Sequence, residues 1–107
     1  MLKDNRLRKN WQFQEIIEKN KQIVTKSLVV YFIPNNLNSL RVGISISKKF
    51  ENAVGRNRQR RQVRASLDLL KEMFNKSFDI VLILRKPFLT MDHEDKTKAL
   101  KEALERL

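Results

Sequence analysis

Five consecutive apolar residues, Ile80-Val81-Leu82-Ile83-Leu84, restrict the fold of this 107-residue chain more than any other stretch. The run is strand-sized, and a strand with no polar face has to be covered on both sides. Residues 40–47 show the complementary pattern. Leu40, Val42, Ile44 and Ile46 alternate with Arg41, Gly43, Ser45 and Ser47, so one face is buried and the other is small and polar. Residues 27–33, rich in Val, Tyr, Phe and Ile and followed by Pro34-Asn35-Asn36, predict another strand. The short loop between these two strands predicts an antiparallel hairpin.

Helical spacing fills the rest. Residues 10–20 place Phe13, Ile16 and Ile17 at i, i+3, i+4, with Asn10 as the expected N-cap. Residues 52–74 carry Val63, Leu67, Leu70 and Phe74 as one apolar stripe. Residues 92–107 begin at Asp92, a second expected N-cap, and carry Leu100, Ala103, Leu104 and Leu107. The order helix, two or three strands, helix, strand, helix describes one α+β domain over residues 1–107, a small two-layer sandwich. The strands before and after the long helix are expected to be parallel neighbours. With no cysteine there is no disulfide, thiolate metal site or cysteine nucleophile. The longest apolar run, 28–33, is far short of a membrane span. Residues 1–10 are basic and lack the apolar segment of a signal peptide. A cytoplasmic location is expected.

Charge narrows the function. Lys and Arg number 23 against 12 acids, a net +11. The excess is local: residues 41–64 hold eight basic residues and one acid, whereas residues 65–107 hold eight of each sign. Solubilising charge would be spread more evenly, so the pattern points to a polyanion. Within 52–74, Arg56, Arg60 and Arg64 recur at i, i+4, i+8 and cover about 80° of helix surface, which Asn57 and Arg61 extend to ~140°. Arg58 points elsewhere. Cations this close repel unless an anion neutralises them. The planar fork of a guanidinium suits phosphate. A solvated basic face is the plain alternative, but the acids that interleave such a face are missing between Asn52 and Ala65.

Ser47-Lys48-Lys49, Asn52-Ala53-Val54, Arg56-Asn57-Arg58, Arg60-Arg61 and Arg64 closely resemble the signature of the bacterial ribonuclease P protein subunit. The resemblance covers about residues 5–90. It includes Asn5-Arg6-Leu7 with Asn10 and Phe13, Leu28-Val29-Val30-Tyr31, Arg41-Val42-Gly43, Asp79-Ile80-Val81 and Arg85-Lys86-Pro87. Phe50-Glu51 departs from the usual aliphatic residue and glycine, and Ile17 from a common aromatic.

The resemblance implies the accessory protein of a ribonucleoprotein endoribonuclease that removes the 5′ leader of precursor tRNA, with catalysis in the RNA. It implies Mg2+ bound mainly by the RNA subunit and substrate, no membrane partner, and a protein that is monomeric outside the ribonucleoprotein. It also implies a left-handed β-helix-β crossover. Lys48, Lys49, Asn52, Arg56, Asn57, Arg58, Arg60, Arg61 and Arg64 would dock on the catalytic RNA. Phe13, Ile17, Val29, Tyr31, Ser45 and Ser47 would line a cleft for the leader, where base stacking on aromatics tolerates any sequence. Phe13 and Tyr31 also read as ordinary core residues, and Trp11 as either a stacking platform or a cover for the first helix. No catalytic or metal-ligating residue is assigned: a two-metal phosphodiesterase site needs converging carboxylates, and the acids here suit surface pairing. His93, between Asp92 and Glu94, reads as a solvent-facing first-turn residue. A small ribosomal or general RNA-binding protein would share the charge and fold class without this ordered spacing. A DNA-binding module would need short, base-reading side chains along the basic helix.

Overall fold

The computed structural model describes residues 5–107, so the first four residues of the basic stretch 1–10 lie outside it. The elements are α1 (Asn10–Glu18), β1 (Gln22–Val24), β2 (Leu28–Pro34), β3 (Arg41–Ile46), α2 (Ala53–Asp68), a 3-10 turn (Lys71–Met73), β4 (Phe78–Leu84), α3 (Lys86–Leu89) and α4 (His93–Glu105). The sheet runs β1-β2-β4-β3. β2 is antiparallel to β1 and β4, and β3 is parallel to β4. The two strands flanking α2 are therefore the expected parallel neighbours.

The expected hairpin of residues 27–33 with 40–47 does not form, because β4 lies between the two strands. The five-residue apolar run explains the insertion. At an edge it would leave half its ladder unpaired and its apolar faces half covered; in the centre both are satisfied. Ile80, Val81, Leu82 and Leu84 are at most 1% exposed.

The strand alternation sorts the apolar residues onto two faces. Leu28, Val30, Val42, Ile44, Ile46, Ile80, Leu82 and Leu84 face Val63 and Leu67 of α2 and Leu100, Ala103 and Leu104 of α4 in one large core. On the other face α1 lays Ile16, with Phe13 and Ile17, over Val81, Tyr31, Ile33 and Ile83. The main sandwich is sheet against α2 and α4, with α1 as partial cover on the reverse.

Helix limits follow from capping and reach. Asn52 Oδ1 accepts the Gly55 N–H at 2.8 Å, and Asp92 Oδ1 accepts the Asp95 N–H at 2.8 Å; such caps contribute about 1 kcal/mol each. α1 starts one residue earlier than expected, with Lys9 rather than Asn10 at the N-cap. α2 ends at Asp68, short of Phe74. Sixteen helical residues span about 24 Å, enough to travel back along the six residues of β3. The chain then tightens, and the Phe74 carbonyl accepts the Leu40 N–H at the head of β3 instead of continuing the helix.

Candidate nucleic-acid interface

The arginine row of α2 divides by depth. Asn57, Arg58 and Arg61 are exposed, whereas Arg56, Arg60 and Arg64 are half-buried along one flank. Arg56 Nη1 donates to the Glu51 carbonyl at 2.9 Å, which ties it to the loop entering the helix. Asn52 is spent as the cap. The Glu51 carboxylate folds against Gly55, where a Cβ would collide with it; the negative charge thus sits at the positive end of the helix dipole. Lys48 and Lys49 are exposed just past β3.

Behind α2 stands a buried cation. Lys96 of α4, 3% exposed, donates from Nζ to Gln59 Oε1 at 2.9 Å and Gln62 Oε1 at 2.6 Å, and lies 5.6 Å from the centre of the Phe88 ring. Burial, and then Arg58, push its pKa down, against an opposing pull from Glu51. Gln59 in turn donates to the Leu89 carbonyl at 3.2 Å, so the inner side of the arginine helix is pinned by polar contacts as well as by Val63 and Leu67. Asp79 stands apart from the acids placed for surface pairing. It is buried and ion-paired with Arg41, and it accepts a hydrogen bond from Asn35 at 2.8 Å.

On the other flank of α2 the N-terminal segment closes a cleft. The Leu7 N–H donates to the Val42 carbonyl at 2.9 Å, and Arg6 bridges Val42 in parallel, so residues 6 and 7 run along the free edge of β3. Arg6, Arg8, Arg60 and Arg64 line the resulting cavity of about 490 Å3, together with Asn10, Phe13 and Ser45. No acid is among the described residues that line it. Burial lowers the Arg64 pKa, and Arg6, Arg60 and Arg8 lower it further. The Nε atoms of Arg6 and Arg64 are buried without a hydrogen-bond partner among the described residues. An unsatisfied buried donor costs roughly 1–3 kcal/mol, and more when charged. Arg6 and Arg64 carry these donors, and Arg8 and Arg60 add two more positive charges to the same cleft, a lining suited to an anion.

The cleft aromatics have a structural cause. Phe13 reaches β3 because Gly43 has no side chain; a Cβ there would fall 2.5 Å from Phe13 Cζ. Phe13 is thus packed on β3 and also lines the arginine cavity. Tyr31 and Ile17 are half-buried in the small cluster beneath α1, beside the cleft rather than in its lining. Register places Tyr31, Val81 and Gly43 in one row across the sheet, and Val29, Ile83 and Ser45 in the next. Ser47 is exposed beyond the end of β3. Of the expected cleft residues, the cavity therefore gathers Phe13 and Ser45, with Tyr31 and Val29 on the adjoining sheet face and Ile17 on α1 against it.

Sequence reasoning about the site missed Arg8 and Ile83, and it carried Arg6, Asn10 and Gly43 through the resemblance without placing them in the cleft. The alternation Arg6-Leu7-Arg8, with Leu7 buried, was the available signal. Trp11 is 60% exposed, so it does not serve as a cover for α1. His93 is exposed at the start of α4.

The guanidiniums of the N-terminal segment and of the flank of α2 stand beside a ridge of exposed arginines on one α+β domain, an arrangement suited to a polyanion. The chain matches the family described as Ribonuclease P over residues 1–107. It is 41% identical over 106 residues to the ribonuclease P protein component of Mycoplasmopsis pulmonis, covering 99% of this chain and 94% of that one. The solved ribonuclease P protein of Thermotoga maritima superposes with a TM-score of 0.86 at 32% identity, covering 95% of this chain and 96% of that one. That of Staphylococcus aureus superposes at 0.81 with 34% identity, covering 94% and 93%. The chain belongs to the ribonuclease P protein family.

Proposed function

We propose that this chain is the protein component of a ribonuclease P, which binds the catalytic RNA and the 5′ leader of precursor tRNA while the RNA subunit cleaves. The observation that carries the reading is the cleft of Arg6, Arg8, Arg60 and Arg64, in which the buried Nε donors of Arg6 and Arg64 lack partners among the described residues and no described lining residue is an acid. Phosphates entering this cleft supply both the hydrogen bonds and the countercharge. Exposed Arg58, Arg61, Lys48 and Lys49 extend the same field outward. The row of Phe13 on Gly43 with Tyr31, and the neighbouring Val29, Ile83 and Ser45, offers stacking and apolar contact to single-stranded bases, which suits a leader of any sequence.

Magnesium is assigned mainly to the RNA subunit and substrate. Among the described residues no three His, Cys, Asp or Glu side chains converge as a metal-holding group, and no step is routed through a protein-held metal. What the chain contributes is position and charge: its cations replace ions that would otherwise screen one RNA from another. Outside the ribonucleoprotein the protein is read as monomeric and cytoplasmic; no helix among the described residues is long and apolar enough to cross a membrane.

Affinity for the catalytic RNA, measured against salt, tests the reading. About five phosphate contacts give a log–log slope of roughly −3.5 to −4.5, and Arg60→Ala should make it shallower by about one unit. An unchanged slope removes Arg60 from the interface. In cleavage assays the protein alone should leave precursor tRNA intact, and its addition to the RNA should help most at low magnesium.

A further inference from the structure

The crest of α2 holds a second cavity, shallower than the cleft, of about 450 Å3, lined by Val54, Asn57, Arg60, Arg61 and Arg64. Val54 is 74% exposed, more than any other large apolar residue described. Single exposed apolar side chains are common on surfaces. This one is the apolar part of a cavity whose other walls are amide and guanidinium. Arg60 Nη1 donates to Asn57 Oδ1 at 3.3 Å. A guanidinium has no acceptor, so the amide oxygen has to face it, and Asn57 Nδ2 remains as a donor at the cavity wall. Methyl groups beneath, a fixed donor at the side and cations around the rim match one chemical object: a nucleotide with its base inward and its phosphate among the arginines.

We propose that this cavity takes one unpaired base of the catalytic RNA that bears a keto oxygen, as guanine, uracil and cytosine do; the oxygen accepts from Asn57 Nδ2 while the ring lies on Val54. Adenine has no keto oxygen and offers that donor only its ring nitrogens, so it is the base expected to fit least well. The base has to be unpaired, because the base edges in the major groove of an A-form helix are out of reach of side chains. The inference rests on the reading of α2 as the RNA-docking helix, and its test separates the two.

The signature is a contact that does not depend on salt. Val54→Ala in the full chain should weaken binding to the catalytic RNA by about three- to ten-fold, equally at every salt concentration, because a methyl contact neutralises no phosphate. Its thermal unfolding should match the parent, since Val54 packs on nothing in the core. In competition with eight-residue oligoribonucleotides, the parent should prefer oligo(U) to oligo(A), and Asn57→Ala should lose that preference. A Val54→Ala affinity within two-fold of the parent, with Arg60→Ala still flattening the salt slope, overturns the base pocket and leaves the docking reading standing. A Val54→Ala loss that comes with a shallower slope overturns it as well, because the arginines would then have moved. If Arg60→Ala leaves the slope unchanged, both readings fall.

Discussion

On the α2/α4 side of the sheet, Leu28, Val30, Val63, Leu67, Ile80, Leu82, Leu100, Ala103 and Leu104 are fully buried. On the α1 side, Leu7, Ile16 and Val81 are buried, while Phe13, Ile17, Tyr31, Ile33 and Ile83 keep part of their surface in solvent. One sheet thus carries two different economies of packing. The deep face supplies the hydrophobic burial, about 1.5–3 kcal/mol for each large side chain. The shallow face, covered by a nine-residue helix, leaves aromatic and apolar surface within reach of a partner. The arginine cleft opens between that shallow face and the flank of α2. Stability and recognition are carried by opposite sides of the same strands.

The largest effect should come from the deep face. Leu82→Ala is expected to cost about 2–5 kcal/mol in unfolding free energy, while leaving the RNA affinity of the molecules that remain folded unchanged. Denaturant titration beside a binding isotherm separates the two quantities. A loss of intrinsic affinity in Leu82→Ala would break the division between faces.

Gly43 is where α1 rests on the shallow face, with Phe13 directly over it. Gly43→Ala forces the Phe13 ring off β3, an overpacking expected to cost about 1–3 kcal/mol. It should also weaken RNA binding, because Phe13 lines the cleft. Combining it with Phe13→Ala should recover stability relative to the sum of the single changes; a purely additive result would show that the ring does not rest on this glycine.

Tyr31 tests the shallow face alone. Tyr31→Ala should weaken binding of precursor tRNA by about 1–3 kcal/mol if one base stacks there, with mature tRNA and assembly on the catalytic RNA little changed. Tyr31→Phe should stay close to the parent. Thermal unfolding of each variant has to accompany the measurement, because Tyr31 also touches the small cluster. Equal losses for precursor and mature tRNA would return Tyr31 to a packing role.

The smallest effect concerns Lys96, which brings a charge into the deep side of α2. Its pKa is lowered on folding, first by burial. The unfolded lysine therefore holds its proton to higher pH than the folded one. The associated stability is fully present above the ordinary value of 10.5 and is lost as pH falls through the lowered folded value. Between those limits the parent should gain stability with rising pH relative to Lys96→Met. Parallel pH profiles of the two would show that Lys96 is not desolvated.

The strands β2, β3 and β4, their inward faces and the run of arginines were legible in the sequence because each is set by local periodicity, whereas the three-residue β1 is too short to show one. Alternation in 40–47 decides which residues can face a core, and a 100° step decides that Arg60 and Arg64 share a flank. The N-cap Asp92 was legible for the same reason, since a cap is satisfied within three residues, whereas Asn52 was expected on the RNA surface and is held as a cap instead. The sheet order was not, because a loop of a few residues is equally compatible with a hairpin and with an arch over an intervening strand. That choice fell to β4, whose two apolar faces are satisfied only at the centre. Nor could the sequence show that Arg6 and Arg8 stand opposite Arg60 and Arg64, that Gly43 lies under Phe13, or that Lys96 is buried against Gln59 and Gln62. Each of these is a contact between residues about thirty or more positions apart. Local pattern determined which side chains the protein could offer to a polyanion. Only the tertiary structure decided which of them are held together, out of water and without a partner, because desolvation depends on what the rest of the chain packs around a group.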